Sequence, residues 1–177
     1  MLAITASGLG IIAGCVSGGR SGADAPDQPC TIETPSNSDL PVSTNTESFL
    51  ETYPSEKPRV EIVIGDEQAQ SVEIPDTRIE NETSASHSIT ATVSKGTESP
   101  TEVMRANCEI ASGAYVSIAP TEATTYHVRV QSDAIEGHAT QTIEEWMFEQ
   151  DRSVTCHINI RSDAIESACG GGGGGAG

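Results

Sequence analysis

Along the middle of the chain the apolar positions recur at every second residue. His87, Ile89, Ala91 and Val93 alternate with Ser88, Thr90, Thr92 and Ser94, so one face is mainly apolar and the other hydroxylated. A period of two marks a half-buried strand, where a helix would repeat at about 3.6. The same alternation groups Val60, Ile62 and Ile64, then Met104, Ala106, Cys108 and Ile110, then Tyr126, Val128 and Val130, then Val154, Cys156, Ile158 and Ile160. Turn formers separate the runs: Gly65-Asp66, Pro75-Asp76, Asn81, Lys95-Gly96, Ser112-Gly113, Pro120, Gly137 and Gln150-Asp151. Strand patterns at a spacing of roughly 8 to 12 residues, with no long helical pattern, predict an all-β fold. The expected architecture is a single antiparallel β-sandwich, Ig-like or a related Greek key, over residues 59–169.

One segment reads both ways. Thr142 and Glu145 have the spacing of a capping box, and Ile143, Trp146 and Met147 would share a helical face. A strand would instead put Trp146 and Phe148 on one face, and the strand patterns on either side favour that reading for residues 142–150.

The two ends have a different texture. Residues 1–16 are apolar or small and uncharged, shorter than the roughly 20 residues a membrane-spanning helix requires, and read as the apolar core of an export signal. Ile12-Ala13-Gly14-Cys15 resembles the lipobox of prokaryotic lipoproteins, which implies removal of residues 1–14 and lipid on Cys15, anchoring the protein to the outer face of the cytoplasmic membrane. A signal normally opens with basic residues, and the first here is Arg20, so the start codon is expected upstream with further arginines. Between Val16 and Pro58, 21 of 43 residues are Ser, Thr, Pro or Gly, with few apolar positions (Ile32, Leu40, Val42, Phe49, Leu50). Residues 15–58 therefore read as a disordered spacer and residues 170–177 as a Gly-rich flexible tail.

Charge narrows the partners. The chain of 177 residues carries 26 Asp and Glu against 9 Lys and Arg, a net charge of −17. Nucleic acid needs Lys and Arg to replace its counterions, so it is excluded as a partner on this reading. The bases are two lysines, Lys57 and Lys95, against seven arginines, and the acids are spread over spacer and body alike. A solvated acidic surface poor in lysine suits concentrated salt, where a Debye length of about 3 Å at 1 M removes most self-repulsion. Aromatic residues make up only 3% and hydrophobic residues 36%, so the core is expected to be modest and built mostly from Val, Ile and Ala.

The lipobox, the acidic body, the segments Ile79-Glu80-Asn81-Glu82-Thr83 and His87 to Val93, and the ending His157-Ile158-Asn159-Ile160 with Asp163-Ala164-Ile165-Glu166 together resemble surface lipoproteins of halophilic archaea that carry an Ig-like domain of unassigned function. The resemblance lies in texture across the body. It implies export, anchoring and a β-sandwich, and brings no catalytic residues.

Apart from Cys15 there are four cysteines, Cys30, Cys108, Cys156 and Cys169, and an even number in an exported chain favours disulfides, with three possible connectivities. Cys108 and Cys156 both fall on the apolar phase of their strands and are expected to meet across the core. Cys30 and Cys169 bracket the body and are expected to tie its ends.

Candidate chemistry is sparse. A cupredoxin-like copper site fails because Cys156 and His157 are adjacent and point to opposite faces, no Met follows, and His87, His127 and His138 lack a ligand-like spacing. There is no Gly-x-Ser-x-Gly elbow, His-Glu-x-x-His or P-loop, so no catalytic residues are assigned. An internal echo is more suggestive: Ser132-Asp133-Ala134-Ile135-Glu136 recurs as Ser162-Asp163-Ala164-Ile165-Glu166, each copy following an alternating strand. With one antiparallel strand between them, both copies would leave the same end of one sheet about 10 Å apart, and Asp133, Glu136, Asp163 and Glu166 would share a Ca²⁺. Asn81-Glu82-Thr83 is a glycosylation sequon in an expected turn. The expectation for function is a lipid-anchored, salt-adapted surface protein whose sandwich serves binding, adhesion or envelope structure, with an envelope protein as a possible partner. The alternative is a small exported enzyme or a cation-dependent binding subunit.

Overall fold

Where alternation is strict, the backbone is extended. The structure is a computed structural model that describes residues 30–45, 59–66, 74–150 and 154–169. The expected signal, the lipidation site Cys15 and the tail 170–177 lie outside these residues. The strands are β1 (Cys30–Glu33), β2 (Val42–Asn45), β3 (Arg59–Ile64), β4 (Asp76–Asn81), β5 (His87–Lys95), β6 (Thr101–Ile110), β7 (Tyr115–Pro120), β8 (Tyr126–Ser132), β9 (His138–Ile143), β10 (Thr155–Ile160) and β11 (Ile165–Cys169). They form a five-stranded sheet in the order β1-β6-β5-β8-β9 and a six-stranded sheet in the order β11-β10-β4-β7-β3-β2.

The two sheets close a β-sandwich, as the alternation predicts. Ile62, Ile64, Ile79, Val93, Met104, Ile118, Val128, Val130, Ile158 and Ile160 are all fully buried between them. Truncating any one of these to Ala would cost about 2 to 5 kcal/mol. The inward sets at Met104 to Ile110, Tyr126 to Val130 and Cys156 to Ile160 all lie in this layer. At Val93/Ser94 the β5–β6 register slips by one residue, and the extra residue opposite, Val103, is buried beside Met104.

Three expectations need correction. The five-stranded sheet is antiparallel throughout, but the six-stranded sheet contains two parallel pairs, β3 with β7 and β4 with β10. Alternation reports which face a side chain takes and is blind to strand direction. The spacer is not wholly outside the fold: β1 and β2 add an edge strand to each sheet, and Ile32, Leu40 and Val42 pack partly buried against the core. An edge strand is held largely by its backbone ladder, so a few apolar side chains suffice where a central strand needs both faces filled. Finally, residues 142–150 are not one strand. β9 ends at Ile143 and a 3₁₀ turn runs over Glu145–Glu149, with Met147 buried and Phe148 half-buried against the core. The capping box does not form, since Glu144 is the N-cap and its side chain makes no capping bond.

The outer face of the six-stranded sheet carries a polar network beside the buried Val63 and Ala119. Asp76 accepts hydrogen bonds from Ser117 Oγ at 2.8 Å and Thr155 Oγ1 at 2.7 Å, which link β4 to both of its neighbours. The Arg78 guanidinium lies 5.3 Å from the centre of the Tyr115 ring on the same face.

Candidate binding cleft and the expected site residues

The disulfides join neighbouring strands rather than opposite sheets. Cys30 bonds Cys108 and Cys156 bonds Cys169. Each pair sits directly opposite in an antiparallel register, with Cα atoms 4.1 and 4.2 Å apart. This corrects the expected pairs Cys108–Cys156 and Cys30–Cys169. The strand registers set each observed pair directly opposite on neighbouring strands, within the separation a disulfide spans, so each cysteine is already held against its partner. The inward phase of Cys108 and Cys156 was read correctly, but it does not choose a partner.

Asn81 is a structural residue, which corrects its expected glycosylation. Its side chain is 1% exposed, and Nδ2 donates to the carbonyls of Ala85 at 2.7 Å and Ile110 at 2.8 Å. Oδ1 accepts from the Thr83 amide at 3.0 Å and the Thr83 hydroxyl at 2.8 Å, forming an Asx-type turn. A sequon asparagine must present a free amide nitrogen to solvent, and here both amide protons are committed inside. Thr83, the other sequon residue, serves the same turn and also contacts His87 Nε2 at 2.9 Å.

The echoed acids are not gathered. β8 and β10 run toward the same end of the sandwich, but they belong to different sheets, so the copies do not flank one strand. The first copy loops between β8 and β9, and the second turns into β11. Among the described residues no three His, Cys, Asp or Glu side chains converge on a metal position, so Asp133, Glu136, Asp163 and Glu166 do not form a four-carboxylate site. Glu166 instead accepts from Arg161 Nη1 at 2.6 Å, while Arg161 Nε donates to Glu82 at 2.9 Å. These contacts hold the Arg161 guanidinium above its ordinary pKa, through the hydrogen bond to Glu82 first and the charge of Glu166 next.

The opposite end presents a cleft. The β5–β6 turn contributes Thr97, the β7–β8 loop Thr125, the end of β9 Thr142, and the 3₁₀ turn Glu144, Glu145, Trp146 and Glu149. Together they line an open space of about 640 Å³. Trp146 is 48% exposed and is the one large hydrophobic residue exposed among those described. A turn of five residues cannot bury every side chain, and Met147 and Phe148 take the core side, which turns Trp146 outward. Its Nε1–H donates to the Glu144 carboxylate, fixing the indole at the rim.

His127 braces the cleft from within. The Gly96 carbonyl can only accept, so Nε2 carries the proton that reaches it at 3.1 Å, and Nδ1 meets the Thr142 hydroxyl at 3.1 Å. The ring thus ties the β5–β6 turn to the end of β9. Lys95 is engaged by Glu122 nearby, and no basic side chain among the described residues lines the cleft. The sequence pattern groups Trp146 with Ile143 and Met147 in a helix, or with Phe148 in a strand, and does not say which way that face turns. The cluster Glu144, Glu145 and Glu149 around a lone tryptophan was the available signal, since so many charges cannot share a buried face. The chain matches no protein-family model, no curated protein and no solved structure.

Proposed function

We propose that this is an exported, lipid-anchored surface protein whose sandwich is a binding module, with the Trp146 cleft as its ligand site. The observation that carries the reading is that cleft: an exposed tryptophan, held at its rim by Glu144, among hydroxyls and carboxylates from four separate parts of the fold. Large apolar side chains left in water at a concave, mixed-polarity surface are characteristic of interaction sites. The two disulfides support an oxidising compartment outside the cytoplasm. Lipid on Cys15 and residues 16–29 would then hold the sandwich off the membrane, in a solvent whose salt its acidic surface tolerates.

Trp146 is the chain's single tryptophan, so its fluorescence reports the cleft directly. The full chain is titrated in high salt with a panel of neutral oligosaccharides, peptides and small organic cations. A saturable change with one class, lost on blocking that ligand, supports the binding module. A flat response to every class overturns it in favour of a purely structural role. Cys15→Ser is expected to move the protein from the membrane fraction to the soluble one, and retention on the membrane would overturn the anchor.

A further inference from the structure

Resting on that binding reading, we infer that the cleft takes a small organic cation, an ammonium ion with apolar substituents. Trp146 supplies an aromatic face, the ring type that attracts cations most strongly. Its N–H is bonded to a carboxylate, which pushes electron density into the indole and makes that face more negative. Glu145 and Glu149 stand on the same turn, line the same cleft and have no cationic partner among the described residues.

The rest of this end leaves the cleft negative. Lys95 is bound to Glu122 and Arg105 makes two bonds to Glu102, and neither they nor Arg129 of β8 line the cleft. An anion would meet three carboxylates and a protein of net charge −17. A neutral sugar would stack on the indole but gain nothing from the carboxylates' charge. A hard metal ion would find no use for an indole face, and no cluster of three ligating side chains is formed among the described residues. A weakly hydrated, bulky cation uses both features at once: its apolar substituents lie on the ring and its charge faces Glu145 and Glu149. The open cleft of about 640 Å³ has room for a small organic ion. Thr97, Thr125 and Thr142 are available to a hydroxyl on the ligand.

The test uses the full, disulfide-bonded chain and calorimetric titration with choline, set against its uncharged isostere 3,3-dimethylbutan-1-ol. Choline is expected to saturate, and the isostere to bind at least about tenfold more weakly. Trp146→Ala is expected to weaken choline about tenfold and the Glu145→Gln/Glu149→Gln double variant by a similar factor. All of these variants should keep the parent melting midpoint, because the altered side chains are exposed. Raising NaCl from about 0.1 to 1 M should weaken choline and leave the isostere unchanged. Equal binding of choline and isostere, or an unchanged affinity in the Glu double variant, overturns the cationic ligand. Saturation by a neutral oligosaccharide or a peptide without choline binding also overturns it while leaving the binding module standing. Silence from all of them removes both.

Discussion

Asn81 Nδ2 donates to the carbonyl of Ile110 at 2.8 Å, a buried hydrogen bond that runs from the end of β4 in one sheet to the end of β6 in the other. The Asn81 main chain adds two more ties, its amide to Ala114 O at 3.0 Å and its carbonyl from the Gly113 amide at 2.7 Å. One residue thus pins the two sheets at the end remote from the cleft.

Asn81→Ala should therefore cost about 3 kcal/mol in denaturant unfolding, because it leaves the buried Ile110 carbonyl without its donor and removes the Asx turn. Thr83→Ala should cost less, about 1 kcal/mol, since it loses one acceptor-side contact to Asn81. The intact mass of protein from its own host should show no glycan at Asn81. A glycan there would contradict the inward amide.

The disulfides should contribute unequally. Cys30 and Cys108 are 78 residues apart and Cys156 and Cys169 are 13 apart. Loop closure then assigns about 4.5 kcal/mol to the first and about 3 kcal/mol to the second. Paired Cys→Ala variants compared by urea unfolding should keep that order. Non-reducing peptide mapping should recover Cys30 joined to Cys108, and recovery of Cys108 with Cys156 would refute the pairing.

Tyr126 sets an alkaline limit. Its ring is fully buried, its hydroxyl has no hydrogen-bond partner among the described residues, and burial, with a smaller push from Glu122, raises its pKa. The unfolded chain releases this proton near pH 10, while the folded protein keeps it. The associated stability is fully present below about pH 10 and is lost as pH rises toward the folded value, at about 1.4 kcal/mol per pH unit. Tyr126→Phe should abolish this part of the alkaline slope and raise stability at pH 7 by about 1 kcal/mol, because it removes a buried hydroxyl without a partner among the described residues. Parallel slopes for the two proteins would show that Tyr126 ionises without hindrance.

Gly65 and Gly137 separate two costs. Both hold positive φ, 110° and 104°, but a Cβ on Gly65 would lie 2.2 Å from Thr121 Oγ1, while one on Gly137 meets nothing within 4 Å. Gly137→Ala should cost about 1 kcal/mol, the backbone price alone. Gly65→Ala should cost about 2 to 3 kcal/mol, and adding Thr121→Ala should return it to about 1 kcal/mol above that single variant. Thermal melting of the parent, the three single variants Gly137→Ala, Gly65→Ala and Thr121→Ala, and the Gly65→Ala/Thr121→Ala double variant is sufficient to check this.

Much of the sandwich was legible because burial imposes a period of two. Met104, Ala106, Cys108 and Ile110 had to share a face, and they do. The edge strands were not legible, since β1 and β2 bring only a few partly buried apolar side chains and are otherwise as polar as a spacer. The cleft was half legible. Glu144, Glu145 and Glu149 announced an exposed segment, but one 3₁₀ turn is too short for any periodicity to say which way Trp146 faces.

By itself the sequence determined the strand class, the inward face of most central strands, the net acidity, and the presence of four cysteines besides Cys15. These are local or summed properties, carried by each segment without reference to its neighbours. The tertiary structure decided which strands lie side by side, and with that everything that depends on distance. It made β3–β7 and β4–β10 parallel, joined Cys30 to Cys108 and Cys156 to Cys169, turned the Asn81 amide inward and Trp146 outward, and kept the two Ser-Asp-Ala-Ile-Glu copies in separate sheets. Strand alternation names the side a residue faces and leaves its partner open, because partners are chosen by the closing of the whole sandwich.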